Sequence, residues 1–138
     1  MSEPKQVIIV RKDLNMRKGK IASQAAHASM KVILDLMTAY EEVDHRPEPI
    51  WGRTLEYRQE EALGQWIDGS FAKICVSVDS EMELLKLYNK AKEAGIICAL
   101  ITDAGRTEFH GVPTNTCIAI GPDYPEKIDL ITDHLKLL

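Results

Sequence analysis

The spacing of apolar residues changes several times along the chain, and each change marks a structural element. Gln6 to Arg11 (QVIIVR) is a short unbroken apolar run rich in β-branched residues and bounded by polar ones, which predicts a buried strand. A polar, basic stretch, Lys12 to Gly19, follows as a loop. From Lys20 to about Tyr40 the period becomes helical. Ile21, Ala25, Ala28, Val32 and Leu36 share one face, and the alanines predict close packing against a sheet. Residues 41 to 69 break the pattern with charges and with Pro47, Pro49, Gly52, Gly64 and Gly69. Within them Thr54 to Ile67 has helical character, and the stretch reads as an insertion or lid, or equally as inert surface.

Phe71 to Val78 predicts a second strand. Ser80, with Glu83 three residues later, has the spacing of a capping box; Met82, Leu85, Tyr88 and Lys92 or Ala91 continue that helix to Gly95, which suits a left-handed terminus. Ile96 to Thr102 is a third strand. A loop with Asp103, Gly105, Gly111 and Pro113 leads to a fourth, Thr116 to Ile120, closed by Gly121 and Pro122. Pro125 sits in the first turn of a last helix whose Ile128, Ile131, Leu135 and Leu138 face inward. Strands and helices that interleave in this order imply an α/β sandwich. Its sheet is mixed, because strands three and four are joined without a helix.

At 138 residues the chain has the length of one domain, and 45% hydrophobic with 28% charged residues is the balance of a globular protein. No apolar stretch approaches the roughly 20 residues that span a bilayer. Met1 to Gln6 is polar and lacks the apolar core of a secretory leader, so a cytoplasmic location is expected. Cys75, Cys98 and Cys117 lie in predicted strands among Ile, Val, Ala and Leu. That setting favours reduced, buried thiols over catalytic ones.

Charge is distributed unevenly. The net value is −4, yet residues 11 to 31 hold Arg11, Lys12, Arg17, Lys18, Lys20 and Lys31 against Asp13 alone, a balance of +5. The remainder, 11 basic against 20 acidic residues, carries −9. A face of this kind steers a polyanion whatever the overall sign; a solvated loop and helix end explains the same charges without function.

Two clusters have residues suited to chemistry. In the first, a basic loop enters a helix through Gly19, and free N–H groups there, with Arg17, Lys18 and Lys20, suit a phosphate or a developing oxyanion. Lys20, Gln24, His27 and Lys31 stand at offsets of four, seven and eleven and form one polar stripe. A lysine at a helix start opposes the helix dipole, which favours a functional reason for Lys20 over a merely solvated one. His27 is read equally as a histidine at the edge of the core or as a substrate-facing group. The second cluster, Asp103-Ala-Gly-Arg-Thr107, follows a strand end, where α/β folds gather catalytic groups. Asp103 is a candidate to orient a water and Arg106 to hold a phosphate. A plain turn, with Asp103 bonded to backbone amides and Gly105 at positive φ, explains the same residues.

Other chemistries find little support. His27, His45, His110 and His134 are scattered, so no metal site is expected. There is no Walker loop and no G-x-G-x-x-G. Ser23, His27 and Asp103 lack a nucleophile elbow to present the serine.

At these residues the sequence resembles the type II peptidyl-tRNA hydrolases. The matching stretches are Val7-Ile-Ile-Val-Arg-Lys-Asp-Leu14, Lys18-Gly-Lys-Ile-Ala-Ser-Gln24 with His27-Ala28, Asp103-Ala-Gly-Arg-Thr107, Ile120-Gly-Pro122 and His134-Leu-Lys-Leu137. They occur in family order across nearly the whole chain. The resemblance implies four mixed strands with helices on both faces, a protein often dimeric, and hydrolysis of peptidyl-tRNA with no obligatory cofactor. It carries catalytic roles to Lys20, His27, Asp103 and Thr116, and the basic loop and helix start would hold tRNA. Thr116 is also an ordinary strand former. The chain departs from the family at Glu108, where glutamine is usual, and at 41 to 69, which replaces a short connection. These departures keep one rival in view, a tRNA- or RNA-binding module on the same fold without hydrolysis, and the acidic remainder of the surface keeps another, a small-ligand regulatory domain. The hydrolytic reading requires Lys20 and Asp103 to meet in one accessible cleft.

Overall fold

Lys5–Arg11 forms β1, and all five of its inner residues, Gln6 to Val10, are buried. The computed structural model describes residues 2–42 and 47–138; His45 and part of the 41 to 69 segment therefore lie outside the described residues. A 3-10 turn at Lys12–Leu14 precedes α1 (Lys18–Leu36), and the hairpin of β2 (Thr38–Glu42) and β3 (Ile50–Thr54) follows. Then come α2 (Ala62–Ile67), β4 (Lys73–Val78), α3 (Glu81–Glu93), β5 (Cys98–Asp103), β6 (Thr114–Asp123), α4 (Pro125–Thr132) and β7 (Lys136–Leu137).

The main sheet has the order β5-β6-β1-β4-β7, with β1 parallel to β4 and the other pairs antiparallel. It is the expected mixed α/β sheet, with five strands where four were expected. The extra strand comes from the predicted last helix, which stops at Thr132. Lys136 and Leu137 pair instead with β4, and the Leu138 N–H donates to the Cys75 carbonyl, so the open edge of β4 is satisfied. Leu138 is consequently 49% exposed and does not face inward, whereas Ile128 and Ile131 do.

Alternation along β1 explains its unbroken apolar run. Val7 and Ile9 join a core with Leu84, Leu87 and Ile128 under α3 and α4; Ile8 and Val10 join a second core with Ala28 and Val32 under α1. Helices thus cover both faces of the sheet.

Three elements differ from their sequence expectation. Helix α1 ends at Leu36, and Tyr40 lies in a strand; its ring crosses Gly52, where any Cβ would stand 2.4 Å from the ring, so the partner residue selects the strand. Helix α2 is shorter than Thr54 to Ile67, and Trp66, buried, donates its indole N–H to the Ala72 carbonyl at 2.8 Å. The Gln6 N–H donates to the same carbonyl. This part of 41 to 69 is therefore anchored where β1 and β4 begin, at the opposite end of the sheet from Asp103, and does not cover that residue as a lid. Strand β6 continues through Gly121 and Pro122 rather than stopping there, and its register with β1 shifts at that point.

In α3 the buried face is Leu84, Leu87 and Ala91, while Met82 is exposed. Ser80 caps the helix, its Oγ accepting from the Glu83 N–H at 3.1 Å, and Gly95 follows it at φ 72°. Ser80→Ala is expected to lower unfolding free energy by about 1 kcal/mol in a urea titration, with Ser80→Asp restoring most of it.

Candidate active site

Lys20, in the first turn of α1, and Asp103, the last residue of β5, are brought together because α1 lies across β5 and β6. The ammonium donates to Asp103 Oδ1 at 2.8 Å and to Thr107 Oγ at 2.9 Å, and it lies 5.7 Å from the centroid of Phe109. Gln24, one turn along, donates from its amide to the same Oδ1 at 3.2 Å. The amide oxygen of Gln24 accepts from the Thr116 hydroxyl at 2.5 Å, and its backbone carbonyl accepts from Cys117 Sγ at 3.2 Å. Both ends of a buried amide are satisfied in this way.

The turn after β5 holds the other carboxylate oxygen. Gly105 donates its N–H to Asp103 Oδ2 at 2.9 Å, at φ 84° and with Val112 backbone atoms 2.4 Å from where a Cβ would stand. Only glycine fits there. The turn anticipated as a plain structural account of Asp103 is real, and it aims the carboxylate at Lys20. The side chains of Lys20 and Asp103 remain 14% and 13% exposed, reachable by a substrate but largely screened from water.

The hydrogen bond from Lys20 is the main reason the Asp103 carboxyl titrates below the ordinary carboxylate range. The Gly105 amide, the charge of Lys20 and Gln24 act in the same direction, and burial opposes them. Because the folded-state value is depressed, the ionised form and the stability it contributes persist as pH falls below the ordinary carboxylate value, and are lost only lower still. The pH profile of kcat/KM is therefore expected to show no acidic limb from Asp103 between about pH 5 and 7. A limb in that window would assign the essential group to another side chain.

Other sequence candidates stand apart from this network. His27 is exposed on the next turn of α1. Lys31 pairs with Asp35 at 3.3 Å, eleven residues and so roughly 16 Å along the helix from Lys20. Gln24 belongs to the buried network rather than to an exposed phosphate site. Ser23 Oγ donates to the Lys20 carbonyl, away from His27 and Asp103. Arg17, Lys18 and Gly19 are exposed at the start of α1, as is Arg106 in the loop after β5. The Arg11 guanidinium is held by Asp13, Glu81 and the Asn115 carbonyl, so it serves structure. Beside Thr107 a cavity of about 390 Å³ opens between Leu14, Asn15, Arg17 and Glu108, with Arg17 3.9 Å from Glu108. Thr107 and Phe109 were not singled out from sequence as contacts of Lys20, although the run after Asp103 contains both.

Comparison with known proteins extends this picture. A family model described as "Peptidyl-tRNA hydrolase PTH2" matches residues 4–138. The chain is 44% identical to a peptidyl-tRNA hydrolase of Methanothermobacter thermautotrophicus and 38% identical to one of Methanocaldococcus jannaschii, in each case over 97% of this chain and 99% of the relative. It is 40% identical to that of Sulfolobus acidocaldarius, again over 97% and 99%. A solved structure of a protein of unknown function from Agrobacterium tumefaciens strain C58 shares the fold, with a TM-score of 0.55, 12% identity and coverage of 100% and 99%.

Proposed function

This chain belongs to the peptidyl-tRNA hydrolase family PTH2, and from that membership we infer that it is an enzyme that hydrolyses the ester joining a peptide to its tRNA. A water oxygen attacks the ester carbonyl, the bond from that carbon to the ribose oxygen breaks, and a proton from the water ends on the ribose hydroxyl. The observation that carries the reading to particular residues is the 2.8 Å pair of Lys20 and Asp103, largely screened from water but still reachable.

Asp103 has three hydrogen-bond donors on its carboxylate and a depressed pKa, which makes it a weak proton acceptor. This supports a role in orienting the attacking water and holding the ammonium, rather than in removing a proton before attack. Lys20 stabilises the oxyanion or the departing ribose oxygen, an effect worth about 3 kcal/mol for one well-placed donor. Thr116 is buried and bonded to Gln24, so it acts through the amide that steadies Asp103. His27 and the exposed Arg17, Lys18 and Arg106 face the tRNA, with Gly19 letting a phosphate approach the helix start.

The reading treats the whole chain as one domain, acting in the cytoplasm where translation takes place; no helix among the described residues is long and apolar enough to cross a membrane. Release of free tRNA from purified peptidyl-tRNA by the wild-type protein tests it. Salt-sensitive tRNA binding without release would return the chain to the rival class of a binding module.

A further inference from the structure

The main sheet has two outer strands, and the chain treats them differently. On one side Lys136–Leu137 pairs with Val76 and Ser77 and so covers β4. On the other, β5 pairs with β6 alone. The Ile97 carbonyl accepts from the Gly121 N–H. Antiparallel alternation from that pair turns the backbone groups of Ala99 and Ile101 towards β6 and those of Cys98 and Leu100 away from it. Among the described residues no other strand or backbone group takes up those outward N–H and C=O groups.

An uncovered edge is a template for another strand, and folds protect one with a proline, a charged side chain or a covering element. Cys98 to Thr102 contains neither proline nor charge. The side chains of Cys98 and Leu100 pack into the core under α3, and those of Ala99 and Ile101 into the core under α1. Helices thus cover both faces of β5 and leave its edge free. The strand ends at Asp103, whose carboxylate holds Lys20. A segment laid along this edge therefore has one end at the reaction centre.

We propose that this edge receives the peptide part of the substrate as an added strand, an inference that rests on the hydrolytic reading above. The ester is made by the C-terminal carboxyl of the peptide, which fixes the direction. With that carbonyl at Asp103, the peptide runs back along β5 towards Cys98 and lies parallel to it. Leu100 and Cys98 each donate an N–H to one peptide carbonyl and accept an N–H from another. Cys98 to Thr102 offers room for about five extended residues at roughly 3.3 Å each. Charge supports this occupant over nucleic acid. The exposed cations Arg17, Lys18 and Arg106 stand at the start of α1 and in the loop after β5, whereas the edge itself is uncharged and suits a neutral backbone. Contacts made through the main chain are indifferent to the side chains of the peptide, proline excepted.

A series of substrates on one tRNA tests the added strand with the wild-type protein. As alanines are added to an N-acetylated alanyl-tRNA, kcat/KM is expected to rise up to about five residues and then to level off. In the five-residue substrate, N-methylation of single amides should lower kcat/KM by roughly three- to tenfold at alternate positions, where the N–H faces β5, and leave it nearly unchanged at the positions between. On the protein side, Leu100→Pro removes an N–H that β6 does not use, and should diminish the gain with length; Leu100→Ala retains that N–H and should keep the gain. Should the proline variant fail to fold, the substrate series decides alone. The same kcat/KM at every length, losses on N-methylation without alternation, or an equal gain with length in both Leu100 variants would each overturn the strand. Cleavage of none of these substrates would overturn the hydrolytic reading and this inference with it.

Discussion

Asp103→Asn is expected to lower kcat on an N-blocked aminoacyl-tRNA by about 10³-fold, the largest effect of any single substitution in this site. The change is nearly isosteric, so the turn at Gly105 and the fold should persist. What it removes is the charge that balances Lys20. The asparagine carbonyl can still accept from Gly105, but its amide group then points donors at the Lys20 ammonium, which already has Thr107 as its other acceptor. The ammonium is displaced and the water loses its acceptor. Steady-state kinetics with circular dichroism to confirm folding will measure this, and wild-type turnover in the variant would remove Asp103 from the mechanism.

Lys20→Ala is expected to cost 10²- to 10³-fold in kcat with little change in KM, because an ammonium that acts on the developing charge contributes mainly in the transition state. A rise in KM alone would reassign Lys20 to substrate binding. The same variant removes the principal cause of the low Asp103 pKa, so the acidic limb of kcat/KM should move upward towards the ordinary carboxylate range. The two residues act as a unit, and the double variant should be little worse than the poorer single one. Independent, multiplying losses would argue that they serve separate steps.

Much of this arrangement was legible in the residues. The unbroken run in β1 reports a strand buried on both faces, and Ser80 with Glu83 marks a helix start through a purely local hydrogen bond. The meeting of Lys20 and Asp103 follows from topology, since a helix that crosses back over β5 and β6 lays its first turn beside the end of β5. The hairpin was not legible, because Thr38 to Glu42 becomes a strand only through partners twelve or so residues away and through the missing Cβ of Gly52. Gln24 misled for a related reason. A glutamine on a helix reads as surface, and it is buried here because Asp103 and Thr116, some 80 and 90 residues later, take up its two ends. The pair at Lys136 and Leu137 is too short to leave any periodic trace.

The amide that Gly105 offers to Asp103 belongs to the main chain. Selection can exchange the lysine, glutamine or threonine around that carboxylate and so retune charge and reactivity, but no exchange of side chain deletes this donor unless a proline replaces the glycine. Aim and reactivity are thereby inherited separately: the first is written into the course of the backbone, and the second stays open to evolutionary adjustment.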